Sequence, residues 1–439
     1  MEITSSQYSE SRFGWYVEGL VSVIGHADRA KPLGDYCQGL LLPCERKSVE
    51  PMAAVTAPSR VAAQHQSLLH FVGEAPWSDD EVLAKVREQV LPAIERHRPI
   101  EAWIIDDTGF AKKGRHSVGV AHQYCGELGQ SGNCQVAVSL SIANHHASLP
   151  VGYRLYLPKE WAEDRARRKK AGVPEEVVFK TKTAIALDLV QAACVAGIAR
   201  GVALMDGAYG CDTGLRSGIS ALGLSYVVGI QSPTTVWPPG CEPLPPKPYV
   251  GHGRRPTRLR RDSVHKPVSV KALARGLPEK AWRTIRWREG TNGWLRSRFA
   301  RVRVRPAHDD DRRHTPRPNE WLLIEWPKGE PAPTRYWLSN LPEDQAALAH
   351  RTRLPGTQAG GRARTLRRPR VARLSPSRHA LHRRLWIPDL RAGDDSPLRT
   401  SHHRAVPNAC PSPRSSTPRR RRSDPSVIFQ TRSPPCAGD

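Results

Sequence analysis

The sequence lacks the features that mark several common classes of protein. None of its nine cysteines stands in a C-x-x-C pair, and structural zinc sites need closely spaced ligands, so a zinc finger is not expected. No apolar run approaches the roughly 20 residues that span a bilayer, and no signal peptide is recognisable. We therefore expect a soluble, cytoplasmic protein with reduced thiols and no membrane partner.

Lysine and glutamate are missing from the last part of the chain. The last lysine is Lys328 and the last glutamate is Glu343, whereas residues 351–439 contain 20 arginines, five aspartates and 12 prolines. Selection for positive charge does not usually choose arginine and exclude lysine, but out-of-frame translation of GC-rich DNA does. We therefore predict that the reading frame changes near Gln345 and that residues 345–439 form a disordered, Arg/Pro-rich tail.

The rest of the chain is moderately basic. Of the formal net charge of +25, the 20 arginines and five aspartates after residue 350 contribute +15, and 47 basic against 37 acidic residues leave +10 for residues 1–350. Such a balance favours a polyanionic partner, with nucleic acid ahead of a membrane surface. A soluble basic protein without such a partner is the alternative.

Residues 1–98 have the pattern of a helical N-terminal domain. Ser78 and Glu81 form a capping box, and apolar residues follow at helical spacing from Val82 to Val90. We interpret this domain as a DNA-binding region, although no recognition helix can be named, and a helical packing domain is the alternative.

Residues 99–231 predict an α/β core. A short buried strand at 103–105 ends in Asp106 and Asp107, with a turn at Thr108-Gly109, and residues 135–143 alternate as a strand. An amphipathic helix at 183–196 is followed by a strand that ends at Asp206. Further segments are a helix at 213–222 and a strand at 226–230. This order predicts a mixed sheet whose functional side chains lie at strand ends.

Residues 232–344 predict a β-rich, basic insertion. Strands are expected at 299–305, 321–326 and 336–338, and the first of these alternates so that its arginines share one face. These arginines, and two in an earlier basic run, are candidate phosphate contacts, although a charge run is also typical of a solvated face. The candidates are Arg254, Arg255, Arg301, Arg303 and Arg305.

Two aspartates about 100 residues apart, Asp106 and Asp206, each follow a predicted strand. Carboxylates at the ends of neighbouring strands can bind Mg²⁺ or Mn²⁺ for phosphodiester cleavage, and hard oxygen ligands suit these ions better than zinc. Taken alone, the pattern is weak, because aspartate before Thr-Gly or Gly is also a common turn former.

Several stretches, in order along residues 35–344, resemble the DDE-type insertion-sequence transposases of bacteria. They are ERKSVEP at 45–51, APW at 75–77, WIIDDTGFAKKG at 103–114, SVGVA at 117–121, NCQV at 133–136, LYLPKEW at 155–161, AGVP at 171–174 and DGAYG at 206–210. The resemblance implies an RNase H-like core with a β-rich insertion before the last catalytic strand–helix unit.

The resemblance also implies roles for individual residues. Asp106 is the expected first metal-binding acid and Asp206 the second, with Asp107 as a supporting residue beside the metal ligands. Lys112 and Lys113 are candidate DNA contacts. The implied partners are double-stranded DNA, both the element's terminal repeats and the target, and a second copy of the chain.

The third acid that the resemblance requires is absent from this translation. It should be a glutamate in a stretch like RWRIE followed by DYRELK. Residues 345–361 can be spelled with synonymous codons that, read one base later, give KLRWRIEHDYRELKQA, and the lost glutamate spans the codons of Arg351 and Thr352. The chain is therefore interpreted as a frameshifted transposase without useful strand cleavage or transfer.

Two other functions remain open at this stage. The chain could be a non-catalytic DNA-binding remnant that interferes with intact transposase. It also carries Asp-Thr-Gly twice, at 107–109 and 212–214, and aspartic proteases use two such loops. The two halves show no internal similarity, however, and Asp212 has the position of a helix N-cap.

Overall fold

The computed structural model describes residues 5–44, 46–290 and 293–343. The predicted Arg/Pro-rich tail lies outside these residues. Within the described ranges, every helix is too short or too polar to cross a lipid bilayer.

The N-terminal region is helical, as predicted. The Oγ of Ser78 accepts a hydrogen bond from the backbone N–H of Glu81 at 3.2 Å, so this end of the capping box caps the fifth helix. The apolar side of that helix packs into the main core through Val86, Val90 and Ile94. The helices are α1 (Ser5–Val21), α2 (Ala30–Leu41), α3 (Val49–Thr56), α4 (Val61–Gly73) and α5 (Asp79–His97).

Four strands and three helices follow, and then two further strands with two helices between them. They are β1 (Ala102–Ala111), β2 (Ala121–Cys125), β3 (Gln130–Ala143), β4 (Ser148–Leu155), α6 (Lys159–Glu163), α7 (Arg165–Lys170), α8 (Lys182–Val195), β5 (Val202–Met205), α9 (Gly207–Gly210), α10 (Thr213–Ala221) and β6 (Tyr226–Ile230). The predicted strands and helices of this region are present.

The sheet has the mixed topology of an RNase H-like core. β3 pairs antiparallel with β1 and β4, β1 pairs parallel with β5, and β5 pairs parallel with β6. The apolar alternation of β3 explains its central position, because Val136, Val138, Leu140 and Ile142 are all fully buried. The predicted fold class is therefore confirmed.

The predicted turn at Thr108-Gly109 is wrong. β1 continues to Ala111, and its last residues pair with β3 down to Cys134. Gly109 allows the close approach of β2 and does not form a turn, because a Cβ there would lie 2.8 Å from the Sγ of Cys125 in β2. Asp106 therefore lies inside a strand, whereas Asp206 follows the end of β5 as predicted.

The insertion is β-rich and extends the same sheet. Its elements are β7 (Thr235–Trp237), β8 (Val268–Ser269), α11 (Val270–Arg275), β9 (Arg283–Gly290), β10 (Gly293–Pro306), β11 (Glu320–Pro327) and β12 (Arg335–Ser339). β12 pairs antiparallel with β6, so the order across the sheet runs β3-β1-β5-β6-β12-β11-β10. The insertion and the core therefore share backbone hydrogen bonds.

Candidate active site

The two candidate acids occupy matching positions on neighbouring strands. Ile104 of β1 pairs in parallel register with Leu204 of β5. Asp106 lies two residues beyond Ile104, and Asp206 lies two residues beyond Leu204. The register therefore brings the two aspartates to the same level of the sheet.

Asp106 and its neighbour Asp107 point to opposite sides of the sheet, because side chains alternate along a strand. Trp103 and Ile105 pack in the main core, whereas Ala102 packs in a second, smaller apolar cluster. By this alternation Asp107 shares the side of the main core and Asp106 shares the side of the smaller cluster.

Asp206 is fixed by the helix that it begins. Its Oδ1 accepts hydrogen bonds from the backbone N–H groups of Ala208 at 2.9 Å and Tyr209 at 3.4 Å, so Asp206 is the N-cap of α9. α9 lies directly against β6, because a Cβ on Gly210 would lie 2.1 Å from the carbonyl oxygen of Gly229. Backbone packing thus sets the position of this carboxylate.

The hydroxyl of Tyr209 contacts one of the candidate acids and is influenced by the charge of the other two. Burial raises the pKa of this phenol far above its usual value, and the negative charges of Asp107, Asp106 and Asp206 raise it further. The hydroxyl donates a hydrogen bond to Oδ2 of Asp107 at 3.4 Å. Tyr209 therefore stays protonated and acts as a hydrogen-bond donor among the acids.

Lys182 compensates the charge of Asp107. It lies in the first turn of α8, and its Nζ is 2.9 Å from Oδ2 of Asp107. Its ammonium also lies 5.6 Å from the ring centroid of Tyr156. Asp107 is thus held by Lys182 and Tyr209 on the main-core side of the sheet.

Two buried side chains of opposite charge, Arg216 and Glu320, influence each other electrostatically between the end of α9 and the insertion. Arg216 of α10 donates a hydrogen bond from Nη1 to the carbonyl oxygen of Gly210 at 2.5 Å. Glu320, at the start of β11, is 6% exposed, and burial raises the pKa of its carboxyl group. The positive charge of Arg216 and a hydrogen bond from Tyr226 lower this pKa, but burial has the larger effect. The arrangement joins the last residue of α9 to a strand more than 100 residues later.

The donor set suits a hard divalent cation. Asp106 and Asp206 offer carboxylate oxygens, which Mg²⁺ and Mn²⁺ prefer. In residues 5–44, 46–290 and 293–343, no group of three or more His, Cys, Asp or Glu side chains is arranged to hold a metal ion. The described site thus consists of a pair of aspartates with Asp107 beside it.

The candidate DNA contacts lie in three separate places. Lys112 and Lys113 follow the end of β1, and Asn133 fixes the loop by donating a hydrogen bond to the carbonyl oxygen of Lys112 at 2.9 Å. Arg254 and Arg255 are exposed in the loop between β7 and β8.

The third place is β10, where the predicted one-sided row of arginines is present. Arg301 and Arg303 are exposed, and their guanidinium groups lie 5.1 Å and 4.9 Å from the ring centroid of Trp321. Arg305 instead pairs with Glu242 at 3.3 Å. Four strands separate β10 from β1, so these arginines and Asp106 do not form one compact site.

The two Asp-Thr-Gly segments have separate structural roles. Asp212 is the N-cap of α10, as its position predicted, and accepts a hydrogen bond from the N–H of Leu215 at 2.8 Å. Its other oxygen accepts a hydrogen bond from Thr183 at 2.8 Å, whereas Asp107 is bound by Lys182. Neither carboxylate is arranged as half of a proton-sharing pair.

Sequence patterns did not reveal the contacts that support the aspartates. Lys182 is 75 residues from Asp107, so no local pattern connects them. Tyr209 has a weak signal, because it follows Asp206 by three residues, which is the spacing of one helical face. Arg216 and Glu320 carry no signal, since ionisable residues usually remain at the surface.

Comparisons with known proteins identify the family of this chain. A family described as DDE superfamily endonuclease matches residues 19–294. A probable transposase for insertion sequence element IS701 from Microchaete diplosiphon is 31% identical over 196 residues, which are 44% of this chain and 47% of that protein. The match thus spans about half the length of that relative. Because the family match covers more than half of the chain, this protein belongs to the DDE superfamily endonucleases.

Proposed function

We propose that this chain descends from a DNA transposase that cleaves and transfers DNA strands at the ends of an insertion sequence. We further propose that it is inactive as translated, because the third acid is missing. The observation that supports the proposal best is the matching position of Asp106 and Asp206 on the parallel strands β1 and β5. Strand cleavage requires carboxylates in such a pair, and a turn-forming role would not require this register.

Asp106 and Asp206 would hold the divalent cation, Mg²⁺ or Mn²⁺. When bound, the cation activates the attacking oxygen and stabilises the leaving oxygen of the phosphodiester. Asp206 is oriented for this by its hydrogen bonds to the N–H groups of α9, and Asp107 is kept away by Lys182. Tyr209 places a neutral donor near the carboxylates without adding charge.

The proposed partner is double-stranded DNA. The cationic side chains of Lys112, Lys113, Arg301 and Arg303 are suited to phosphate contacts, which position a protein on DNA but do not read its sequence. The helical N-terminal region would recognise the terminal repeats, and a second copy of the chain would bind the other end of the element.

The proposal is tested by comparing this chain with a version whose frame is restored after residue 344. A supercoiled plasmid carrying the DNA that flanks the gene is incubated with each protein and Mg²⁺ or Mn²⁺. We expect the restored protein to nick the plasmid and the present chain to be slower by at least about 10²-fold, because metal-site groups contribute this much each.

Matched variants assign the activity to the site. Asp106→Asn and Asp206→Asn in the restored protein should abolish nicking, whereas Asp188→Asn, which alters an exposed carboxylate paired with Lys180, should not. Equal nicking by the present and restored chains would overturn the proposed inactivity. Nicking that survives both site variants would overturn the assignment of the acids.

A non-catalytic role is the second candidate, and it is favoured by the absence of any glutamate after Glu343. In that case the chain binds element ends or pairs with intact transposase and reduces its activity. The discriminating result is retention of DNA by the present chain without metal-dependent cleavage, together with slower cleavage when it is mixed with the restored protein.

A further inference from the structure

Five exposed cations lie on two separate segments of the chain. Only one of them, Lys113, is among the DNA contacts that the sequence suggested. Lys113 and Arg115 lie in the loop after β1, and Arg165, Lys169 and Lys170 lie on α7. We call these five residues the α7 patch. Among the residues that the structure describes, none of the five forms an ion pair, so their charge is not cancelled by a neighbouring carboxylate.

The other two arginines of α7 attach the helix to the loop. Arg167 donates a hydrogen bond from Nη2 to the carbonyl oxygen of Arg115 at 2.6 Å, and its guanidinium lies 3.6 Å from the ring centroid of Trp161. Arg168 donates from Nη2 to the carbonyl oxygen of Pro174 at 2.7 Å. These two side chains hold the backbone, which leaves the remaining cations of α7 at the surface.

Hydrogen bonds from two other side chains, Asn133 and Trp161, also fix the loop after β1 and the segment before α7. Asn133 on β3 donates hydrogen bonds to the carbonyl oxygens of Lys112 at 2.9 Å and Gly114 at 2.8 Å. Trp161 is 1% exposed and donates a hydrogen bond to the carbonyl oxygen of Val120 at 2.8 Å. The patch is therefore presented on a rigid base, which lowers the entropic cost of binding a polyanion.

The nearest acids on this segment have other partners. Asp164 accepts a hydrogen bond from the N–H of Arg167 at 2.9 Å as the N-cap of α7. Glu163 lies 3.5 Å from Lys159. The other acids of this segment, Glu160, Glu175 and Glu176, are exposed and form no ion pair within the described residues. The five cations of the patch outnumber these three carboxylates, so the surface has a net positive charge, which is typical of contact with a phosphate backbone.

The patch has a defined place relative to the acids. Ala111, the last residue before the loop, lies five positions after Asp106 along β1, which corresponds to about 17 Å of strand. Duplex DNA rises about 3.4 Å per base pair, so this length corresponds to about five base pairs. A duplex whose reacting phosphate lies at Asp106 would present backbone phosphates near the α7 patch.

We propose that the α7 patch binds the phosphate backbone of duplex DNA about half a helical turn from the reacting phosphate. The inference rests on the proposed function for the position of the DNA, but the binding itself requires neither metal nor cleavage. It adds Arg115, Arg165, Lys169 and Lys170 to the contacts that the sequence suggested at Lys113.

The salt dependence of DNA binding tests the proposal. The full chain and the variant Arg165→Ala/Lys169→Ala/Lys170→Ala are titrated against a fluorescein-labelled duplex without metal at several salt concentrations, and affinity is read from fluorescence anisotropy. Each phosphate contact contributes about 0.9 to the slope of log affinity against log salt, so the slope should fall by about two to three. The arginines of residues 351–439 are present in both proteins, so their contribution cancels in the difference.

A matched variant removes the same charge elsewhere. Lys271→Ala/Arg275→Ala/Lys280→Ala eliminates three exposed cations on and next to α11, and the slope should change by less than about one because no phosphate contact is lost there. Equal changes of the salt slope in both variants would show a general charge effect and overturn the proposal. An unchanged slope in the α7 variant would also overturn it, and so would a full chain that binds no DNA. Loss of nicking in the restored protein with an intact slope difference would overturn only the proposed function.

Crosslinking provides a second measurement that does not depend on charge. A photoreactive phenylalanine analogue replaces Ala166, which is exposed on α7, or Val195, which is 89% exposed at the end of α8. We expect DNA crosslinks from position 166 and few from position 195. Equal yields from the two positions would overturn the placement of DNA on the α7 patch.

Discussion

Nζ of Lys182 lies 2.9 Å from Oδ2 of Asp107, on the side of the sheet opposite to that of Asp106. The two adjacent aspartates of β1 therefore have different surroundings. Asp107 is neutralised by a lysine and bound by a tyrosine, whereas Asp106 shares its level of the sheet with Asp206. This difference explains why a run of two acids in the sequence supplies a single candidate ligand.

Removal of the lysine should strengthen cation binding. In Lys182→Met, a positive charge beside the acids is lost, so Mn²⁺ should bind more tightly by about five-fold, the factor that corresponds to about 1 kcal/mol. The free Mn²⁺ signal in electron paramagnetic resonance measures this affinity directly. Asp107→Asn should change the affinity much less than Asp106→Asn.

Lys180→Met is the matched control for this prediction. Lys180 lies two residues earlier and pairs with Asp188 at 2.6 Å, and both side chains are about half exposed. Its removal should leave Mn²⁺ affinity nearly unchanged, because solvent screens the exposed charge. The same gain in both variants would mean that Lys182 has no specific influence on the site.

Asp206 combines a structural role with the proposed ligand role, and two substitutions separate them. Asparagine caps helices about as well as aspartate, so Asp206→Asn should preserve the free energy of unfolding within a few tenths of a kcal/mol. Alanine cannot cap α9, so Asp206→Ala should lower that free energy by about 1 kcal/mol. Both variants should lose Mn²⁺ affinity by at least about ten-fold, the factor that corresponds to about 1.4 kcal/mol.

Urea unfolding and Mn²⁺ titration of the same protein samples check this prediction. The ligand role requires that Asp206→Asn binds Mn²⁺ as poorly as Asp206→Ala. If the asparagine variant retained the affinity of the unmodified chain, Asp206 would be a helix cap and nothing more.

Close backbone packing makes Gly210 sensitive to the smallest substitution. A Cβ at Gly210 would lie 2.1 Å from the carbonyl oxygen of Gly229, so Gly210→Ala forces α9 away from β6. We expect a loss of about 1–3 kcal/mol in the free energy of unfolding, as for other overpacked sites, and a weaker Mn²⁺ affinity because Asp206 moves with the helix.

Gly14 on α1 is the control position for this substitution. A Cβ there meets nothing within 4 Å, so Gly14→Ala should raise the free energy of unfolding by about 0.5–1 kcal/mol through the better helix propensity of alanine. Similar effects at the two positions would contradict the close packing of α9 against β6.

Glu320 should give stability a measurable dependence on pH. Burial raises the pKa of its carboxyl group above the ordinary value of 4.5, so the folded chain holds this proton at pH values where the unfolded chain has released it. Stability then falls as the pH rises from about 4.5 through the raised pKa, because deprotonation favours the unfolded state. Glu320→Gln removes this contribution, and the variant should gain stability relative to the unmodified chain as the pH rises.

Unfolding free energies measured at several pH values between about 4.5 and 8 check the sign. Val304→Ala is the control, because Val304 pairs with Glu320 across β10 and β11 and carries no titratable group. Its effect should be constant over the range. A difference for Glu320→Gln that is constant or shrinks as the pH rises would contradict the raised pKa.

The parts of the fold that depend on local patterns could be predicted from the sequence. Three such features each depend on only a few neighbouring residues, and all three are present. They are the alternation from Val136 to Ile142, the helix cap at Ser78 and the helix cap at Asp212. The position of Asp206 after the end of β5 was also predicted, whereas Asp106 lies inside β1 and its shared level with Asp206 depends on the pairing of β1 with β5.

Features that depend on a distant partner could not be predicted. The extension of β1 beyond Gly109 requires the paired strand β3, and Thr-Gly by itself favours a turn. The contact of Lys182 with Asp107 and the burial of Glu320 beside Arg216 each join residues that lie far apart in the chain. Only the assembled sheet brings such pairs together.

The frame change that we predict near Gln345 leads to a final prediction about stability. The restored reading, KLRWRIEHDYRELKQA, has leucine, isoleucine, tyrosine and leucine at helical spacing, which predicts an amphipathic helix that contains the missing glutamate. The side of the sheet that Asp106 shares bears an apolar cluster that includes Ala102, Leu204 and Val227. A helix packed on this cluster would bury its apolar side and bring the glutamate to the level of the acids.

Re-reading the nucleotide sequence across codons 340 to 365 from independent DNA is the first measurement. If an extra or missing base disappears, the gene encodes the helix, and an active transposase becomes the leading interpretation. If the shift is confirmed, the copy is decayed, and the restored protein becomes the reference for the following comparison. We then expect the restored protein to unfold at a higher temperature than the present chain and to bind Mn²⁺ at least about ten-fold more tightly, because a third carboxylate completes the site. Equal melting temperatures and equal affinities would mean that neither the helix nor its glutamate belongs to this site.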